Sequence, residues 1–161
     1  MPRLKVKIKS QKGLERKLLN LRKQAQKIKD QEVYVGLYSD QGVHPTSGLT
    51  YTNLMGIHEF GYPDGNIPPR PVLRITGNSG VFDSQDMRAI NKAFDGFFTS
   101  NRSAQQPLNL IGSYYEQKGK DVFGSSMLQE TKAGNPPLIQ TGELRDKFTY
   151  RTSITYTYKE I

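Results

Sequence analysis

The sequence predicts an α+β domain in which a mainly antiparallel β-sheet is flanked by α-helices, with long loops between the elements. Residues 3–9 and 146–160 alternate apolar and polar side chains with the period of a strand. Residues 11–29 and 84–100 repeat apolar side chains with the period of an amphipathic helix. The chain has 161 residues, which is the length of one domain, so we assign residues 1–161 to a single domain.

The first predicted elements are a strand at residues 3–9, a helix at residues 11–29 and a strand at residues 32–38. The first strand places lysine and arginine on one face, whereas the second is rich in β-forming residues. The helix carries one apolar stripe with spacings of 4, 3, 4 and 3 residues, formed by Leu14, Leu18, Leu21, Ala25 and Ile28. Its short length and Ala25 favour packing on the sheet over a coiled coil.

The remaining elements follow from helix signals, prolines and alternation. Asp83 or Ser84 can cap a helix at its N-terminus, and Gly61 can end one. The prolines between residues 62 and 71 require an extended or turning chain. We therefore predict a loop at 39–48, helices at 50–59, 84–100 and 107–122, a loop at 123–139 and a final strand at 146–160.

The positive charge is concentrated at the N-terminus. The net charge is +8, and residues 1–30 hold eleven Lys or Arg against two acidic residues, a net +9 that leaves −1 for the other 131 residues. Such an asymmetry indicates an anionic partner, nucleic acid or an acidic protein surface, or else a solvated face that keeps the chain soluble. The candidate contacts to an anionic partner are Lys5, Lys7, Lys9 and Lys12.

The sequence argues against an enzyme and against a bound metal or cofactor. It contains no cysteine and two histidines, so thiolate chemistry is excluded and a histidine-based site has few ligands. His58 and Glu59 do not begin a zinc-protease motif, because residue 62 is tyrosine. His44 lies in a predicted loop and gives only weak support for a metal site. We also expect no membrane-spanning helix, because the longest apolar runs are about three residues.

Two blocks carry a resemblance to a known family. The first is GIHEFG at residues 56–61, followed by IPPRPVLR at residues 67–74, and the second is PLIQTGELRD at residues 137–146. In this order and spacing they resemble the tail-completion and neck proteins of long-tailed bacteriophages, most of all a tail terminator. Val72 and Gln140 depart from that pattern, where phenylalanine and aspartate are commoner.

The resemblance implies a structural virion protein with a tail-terminator-like fold. Such proteins form a ring, taken here as a hexamer, at the head-proximal end of the tail tube. The ring ends tube polymerisation and provides the surface for head-to-tail joining. The implied partners are further copies of the chain, the tail tube protein and a neck or head-completion protein, with non-specific contact to DNA in the channel. Assembly would take place in the host cytoplasm. The alternatives are a head-closure or other neck protein, and a non-specific DNA-binding accessory protein that uses the basic N-terminal segment.

The resemblance also directs attention to candidate contact residues in the two blocks. Arg70 and Arg74 follow or flank prolines that hold the chain extended, so they can reach carboxylates on a neighbouring subunit. Pairing within their own chain is the other interpretation. Residues 141–144 fit a capped turn that positions the last strand. The other candidates for subunit or partner contact are His58, Glu59, Glu143 and Arg145.

Overall fold

The computed structural model of the chain describes residues 11–78, 82–100, 102–128 and 142–153. The predicted strand at 3–9, with Lys5, Lys7 and Lys9, lies outside the described residues, as do residues 129–139 of the predicted loop. Over the described residues helices predominate and one two-stranded antiparallel sheet is present. The α+β class is therefore compatible with the structure, whereas a mainly β-sheet architecture is not confirmed.

The described part of the chain contains six α-helices and two strands, with 3₁₀ turns at Ser39–Gln41 and Pro63–Gly65. In chain order these are α1 (Gln11–Lys29), β1 (Val33–Gly36), α2 (Tyr51–Phe60), α3 (Val72–Asn78), α4 (Ser84–Ser100), α5 (Gln105–Val122), α6 (Glu143–Lys147) and β2 (Thr149–Thr152).

The sheet joins the second predicted strand to the last one. Val33 of β1 lies opposite Thr152 of β2, and Gly36 lies opposite Thr149. The final strand begins three residues later than the alternation predicts, because residues 143–147 form a short helix. The Phe148 amide closes that helix by donating to the carbonyl oxygens of Leu144 and Arg145.

Helix α5 packs across this sheet and organises the main core. The cluster on its C-terminal half contains aromatic and aliphatic side chains from α2, α3, α5, α6 and the entrance to β2. Its buried members are Tyr51, Met55, Val72, Val122, Phe123, Leu128, Leu144 and Phe148. The sheet is thus covered by a helix whose position decides where both strands lie.

The predicted helices α2, α4 and α5 are confirmed, and α2 and α4 have the capping that the sequence suggested. The Asp83 carboxylate accepts from the amides of Gln85 and Asp86, and Gly61 ends α2 with φ 81°. Helix α5 begins at Gln105, two residues before the predicted start, and its N-cap residue Ala104 provides no side-chain cap. Helix α3 was not predicted, because the prolines before it dominate the local pattern. They end at residue 71, so the chain is free to become helical from Val72.

Helix α1 forms as predicted, but the prediction that its stripe packs on the sheet is wrong. Leu14, Leu18 and Leu21 are 62%, 56% and 43% exposed. The helix contacts the rest of the chain through its last two turns, where Gln24 is buried and Ile28 packs beside α4. The apolar stripe begins before the part of α1 that contacts α4, so no described residue covers Leu14, Leu18 or Leu21.

Candidate functional site: an interface

Glu59 caps helix α3 from inside the fold. Its side chain is 7% exposed, and its two carboxylate oxygens accept hydrogen bonds from the backbone amides of Leu73 at 2.9 Å and Arg74 at 3.1 Å. Amides at a helix N-terminus have no partner within the helix, and a negative charge there also interacts favourably with the helix dipole. Glu59 therefore ties the end of α2 to the start of α3, which gives the first block a structural role.

The two arginines of this block differ in exposure. Arg70 is buried, and its amide donates to the His58 carbonyl oxygen at 2.5 Å. The Arg74 side chain is 59% exposed and lies 3.9 Å from the Glu59 carboxylate. Arg74 thus pairs within its own chain while most of it faces solvent, whereas a contact from Arg70 to another subunit would require the loop to open.

His58 is held neutral by its surroundings. Burial, and secondarily the positive charge of Arg70, lowers its pKa to about 4. Its Nδ1 is buried without a hydrogen-bond partner among the residues that the structure describes. His58 therefore acts as a packed side chain at physiological pH. The ring is half-buried beside Arg70 with its Nδ1 atom fully covered, so a partner could contact that atom only after the loop rearranges.

Glu143 joins the second block to the loop before α2. Its Oε2 lies 3.2 Å from His44 Nε2 and accepts the Tyr51 hydroxyl at 3.4 Å. The His44 and Tyr51 rings meet edge to face, and burial together with the Glu143 charge raises the pKa of Tyr51. Within the described ranges no three His, Cys, Asp or Glu side chains are arranged to hold a metal ion.

The remaining candidate residues lie at the surface or outside the residues that the structure describes. Arg145 is exposed on α6. Gly142 precedes this helix in the left-handed conformation, φ 72°, and no side chain caps the helix there. Residue 141 of the predicted capped turn lies outside the described residues, and residues 143 and 144 belong to α6. Lys12 lies in α1, next to the exposed leucines in sequence. The structure therefore does not bring the six candidates of the two blocks together into one exposed surface.

Strand β2 is anchored by polar contacts that the sequence did not suggest. Arg151 donates two hydrogen bonds to the Asp40 carboxylate, at 2.7 and 2.9 Å, and stacks on the Tyr38 ring. Glu116 of α5 accepts the Thr149 hydroxyl at 2.9 Å and an ammonium hydrogen bond from Lys120. Glu116 and Lys120 lie one helical turn apart, but the other pairs join residues that are far apart in the chain, so no local pattern predicts them.

A groove between α4 and α5 is a surface feature that the sequence analysis missed. It has a volume of about 320 Å³, an apolar floor that includes Ile90 and Leu110, and carboxylates at Asp86 and Asp121. A second depression of about 390 Å³ shares Leu110 and Ser113 with it and extends to Tyr150 of β2. Ile90 belongs to the apolar repeat of residues 84–100, but only the packing of α4 against α5 creates the groove.

Comparisons with protein-family models, with curated proteins and with solved structures found no match to this chain. No helix of the described residues is long and apolar enough to cross a membrane. Functional inference therefore depends on the two sequence blocks and on the surfaces described above.

Proposed function

We propose that this chain is a structural virion protein that forms a ring, a hexamer, at the head-proximal end of a bacteriophage tail tube. In this role it ends tube polymerisation and presents the surface for head-to-tail joining. Its partners are further copies of itself, the tail tube protein and a neck or head-completion protein. The proposal includes a tail-terminator-like fold, in which β1 and β2 belong to a larger antiparallel sheet.

The observation that carries the proposal is the meeting of the two blocks in one core. Val72 of the first block and Leu144 of the second, which are far apart in sequence, belong to the same buried cluster. The Tyr51–Glu143 hydrogen bond joins α2, the helix that contains residues 56–60 of the first block, to the second block. The described residues of the two motifs thus contribute to one structural unit, as expected if the motifs define a common fold.

The roles of the block residues also support a structural function. Glu59 caps α3, Gly61 ends α2, and Arg70 binds the end of α2 through its amide. These contacts fix a loop between two helices, and they are made by charged or conformationally special residues. A ring subunit needs such fixed loops, because heterologous contacts repeat around the ring only if each subunit has the same shape.

The experiment mixes the purified protein with tail tubes assembled from the tube protein of the same phage. We expect electron microscopy to show rings at one end of each tube, and tube growth to stop there. Repeating the experiment at raised salt provides a control, because adhesion of the basic N-terminal segment along the tube sides would be lost. Tubes that continue to grow at both ends would contradict the proposal.

Two alternatives predict different results in the same preparation. A head-closure protein would leave the tubes bare and bind the portal end of DNA-filled heads. A DNA-binding accessory protein would bind duplex DNA with an affinity that falls steeply with salt. Replacing Lys5, Lys7, Lys9 and Lys12 by glutamine should then abolish that affinity and leave the fold intact. No affinity for DNA at low salt would exclude this alternative.

A further inference from the structure

We propose that the exposed leucines of α1 pack into the α4–α5 groove of a second copy of the chain. We call Leu14, Leu18 and Leu21 the α1 stripe, and the α4–α5 groove is the surface floored by Ile90 and Leu110. This inference deepens the proposed function, on which it rests, by naming the contact through which neighbouring subunits of the ring join.

The α1 stripe is a continuous apolar surface that none of the described residues covers. At 100° per residue the three leucines fall within about 60° of one another, and Ala25 continues the row. All three are exposed, and every described side chain of α1 before Gln24 is exposed as well. Among the described residues, the body contacts α1 near its C-terminal end, at Ile28, and we call the exposed part of the helix the arm.

The groove matches the arm in length and character. Together with the depression that shares Leu110 and Ser113, it follows α5 from Gln105 to Asp121, about 24 Å of helix. The α1 stripe with Ala25 extends over about 17 Å. An apolar helix face can therefore lie along the groove for its full length, in the manner of helix-in-groove recognition.

The charges beside the two surfaces are complementary. Lys17 and Arg22 flank the α1 stripe, one on each side, at about 40° from the nearest leucine. Asp86 of α4 and Asp121 of α5 line the groove. Lys118 is the opposing cation, and it lies over the Tyr114 ring at 5.4 Å from the ring centre. Two carboxylates against one ammonium favour a cationic helix over an acidic one.

A second copy explains both open surfaces at once. The stripe and the groove are open in the same chain, so neither covers the other internally. Pairing of two α1 stripes would instead bring two sets of lysine and arginine together, which is unfavourable. Stripe-to-groove contact joins unlike surfaces, and such heterologous contacts close into rings.

The absence of cysteine from the chain allows a direct test by cross-linking. One protein carries Leu18→Cys, a second carries Ser113→Cys, and the two are mixed under mild oxidation, alone and with tail tubes. We expect a mixed disulfide dimer at least tenfold more abundant than with Lys23→Cys, which lies on the opposite face of α1. Disulfides that form only between two Leu18→Cys chains, or no excess over Lys23→Cys in either condition, would overturn the proposal.

A second pair of variants removes the dependence on cysteine chemistry. Leu18 and Leu19 are 56% and 54% exposed but lie on different faces of α1. Leu18→Gln should weaken self-association at least tenfold, whereas Leu19→Gln should change it less than twofold, measured by light scattering or by ring formation on tubes. Equal effects of the two substitutions would overturn the proposal, and circular dichroism confirms that both remain folded.

The two proposals fail in different ways. Tubes that are capped without the Leu18–Ser113 cross-link would overturn the α1 contact and leave the terminator function standing. A cross-link in solution without capped tubes would overturn the terminator function and leave the contact between copies standing.

Discussion

Gly119 of α5 lies directly against the ring of Phe148, so closely that a Cβ at position 119 would overlap the ring. Seven residues earlier, Gly112 has the same relationship with Tyr150. A further seven residues earlier, the side-chain amide of Gln105 donates a hydrogen bond to the Thr152 hydroxyl at 3.1 Å. One face of α5 thus contacts every second residue from Phe148, just before β2, to Thr152 at its end. Because the two glycines have no side chain, the helix can approach the strand closely.

Gly119→Ala tests this close packing. Alanine favours the helix by about 1 kcal/mol, but the added methyl group must displace the buried Phe148 ring, and overpacking costs about 1–3 kcal/mol. We expect the free energy of unfolding in urea to fall. Gly56→Ala in α2 is the matched control, because nothing lies within 4 Å of its Cβ position, and there stability should be unchanged or should rise. A stable Gly119→Ala protein would contradict the described packing.

Glu59→Gln tests the cap on α3. The carboxylate accepts two amides, whereas a glutamine presents one oxygen and an NH₂ group that cannot accept. We expect a loss of about 1–2 kcal/mol in the free energy of unfolding. Glu15→Gln on exposed α1 is the control and should have an effect below about 0.5 kcal/mol. Similar stability of the two variants would show that Glu59 does not cap α3.

His58 predicts a pH dependence of stability. Its pKa is about 4 in the folded chain and about 6.5 in its ordinary state, so the unfolded chain binds the proton more readily. The contribution of neutral His58 to the free energy of unfolding is therefore complete above pH 6.5. It is lost as the pH falls toward 4, which lowers the free energy of unfolding by an amount on the order of 2 kcal/mol. His58→Asn should lack this contribution. Urea unfolding of both proteins between pH 7 and 4 measures the difference, and parallel curves would contradict the prediction.

The arginines of the first block separate stability from assembly. Because the Arg74 side chain is largely exposed, Arg74→Ala should change monomer stability by less than about 0.5 kcal/mol. Any weakening of the ring on tube ends would then report a direct contact. Arg70 is buried, so Arg70→Ala should lower the urea midpoint of the monomer and serves as the destabilised comparison. Unchanged assembly by Arg74→Ala would remove this residue from the interface.

For the first block, the sequence predicted the local backbone better than it predicted which side chains are buried and what they contact. The Pro-rich stretch and Gly61 correctly indicated a fixed turn after α2, since these residues restrict the backbone locally. That Arg70 is buried whereas Arg74 is exposed could not be read from their spacing. The burial of a long charged side chain depends on which distant surfaces cover it.

Helical periodicity and capping were sufficient to locate α1, α2, α4 and α5, because these signals act within a few residues of the chain. The same periodicity led to the wrong prediction that Leu14 and Leu18 pack on the sheet, whereas both are exposed. An apolar stripe shows that one face of a helix is apolar, but it does not show what packs against that face. Three features were decided by tertiary structure alone: the exposure of the α1 leucines, the capping of α3 by Glu59, and the close packing of the Phe148 ring against Gly119. Each of these depends on two segments meeting in space, and a local pattern contains no information about that distance.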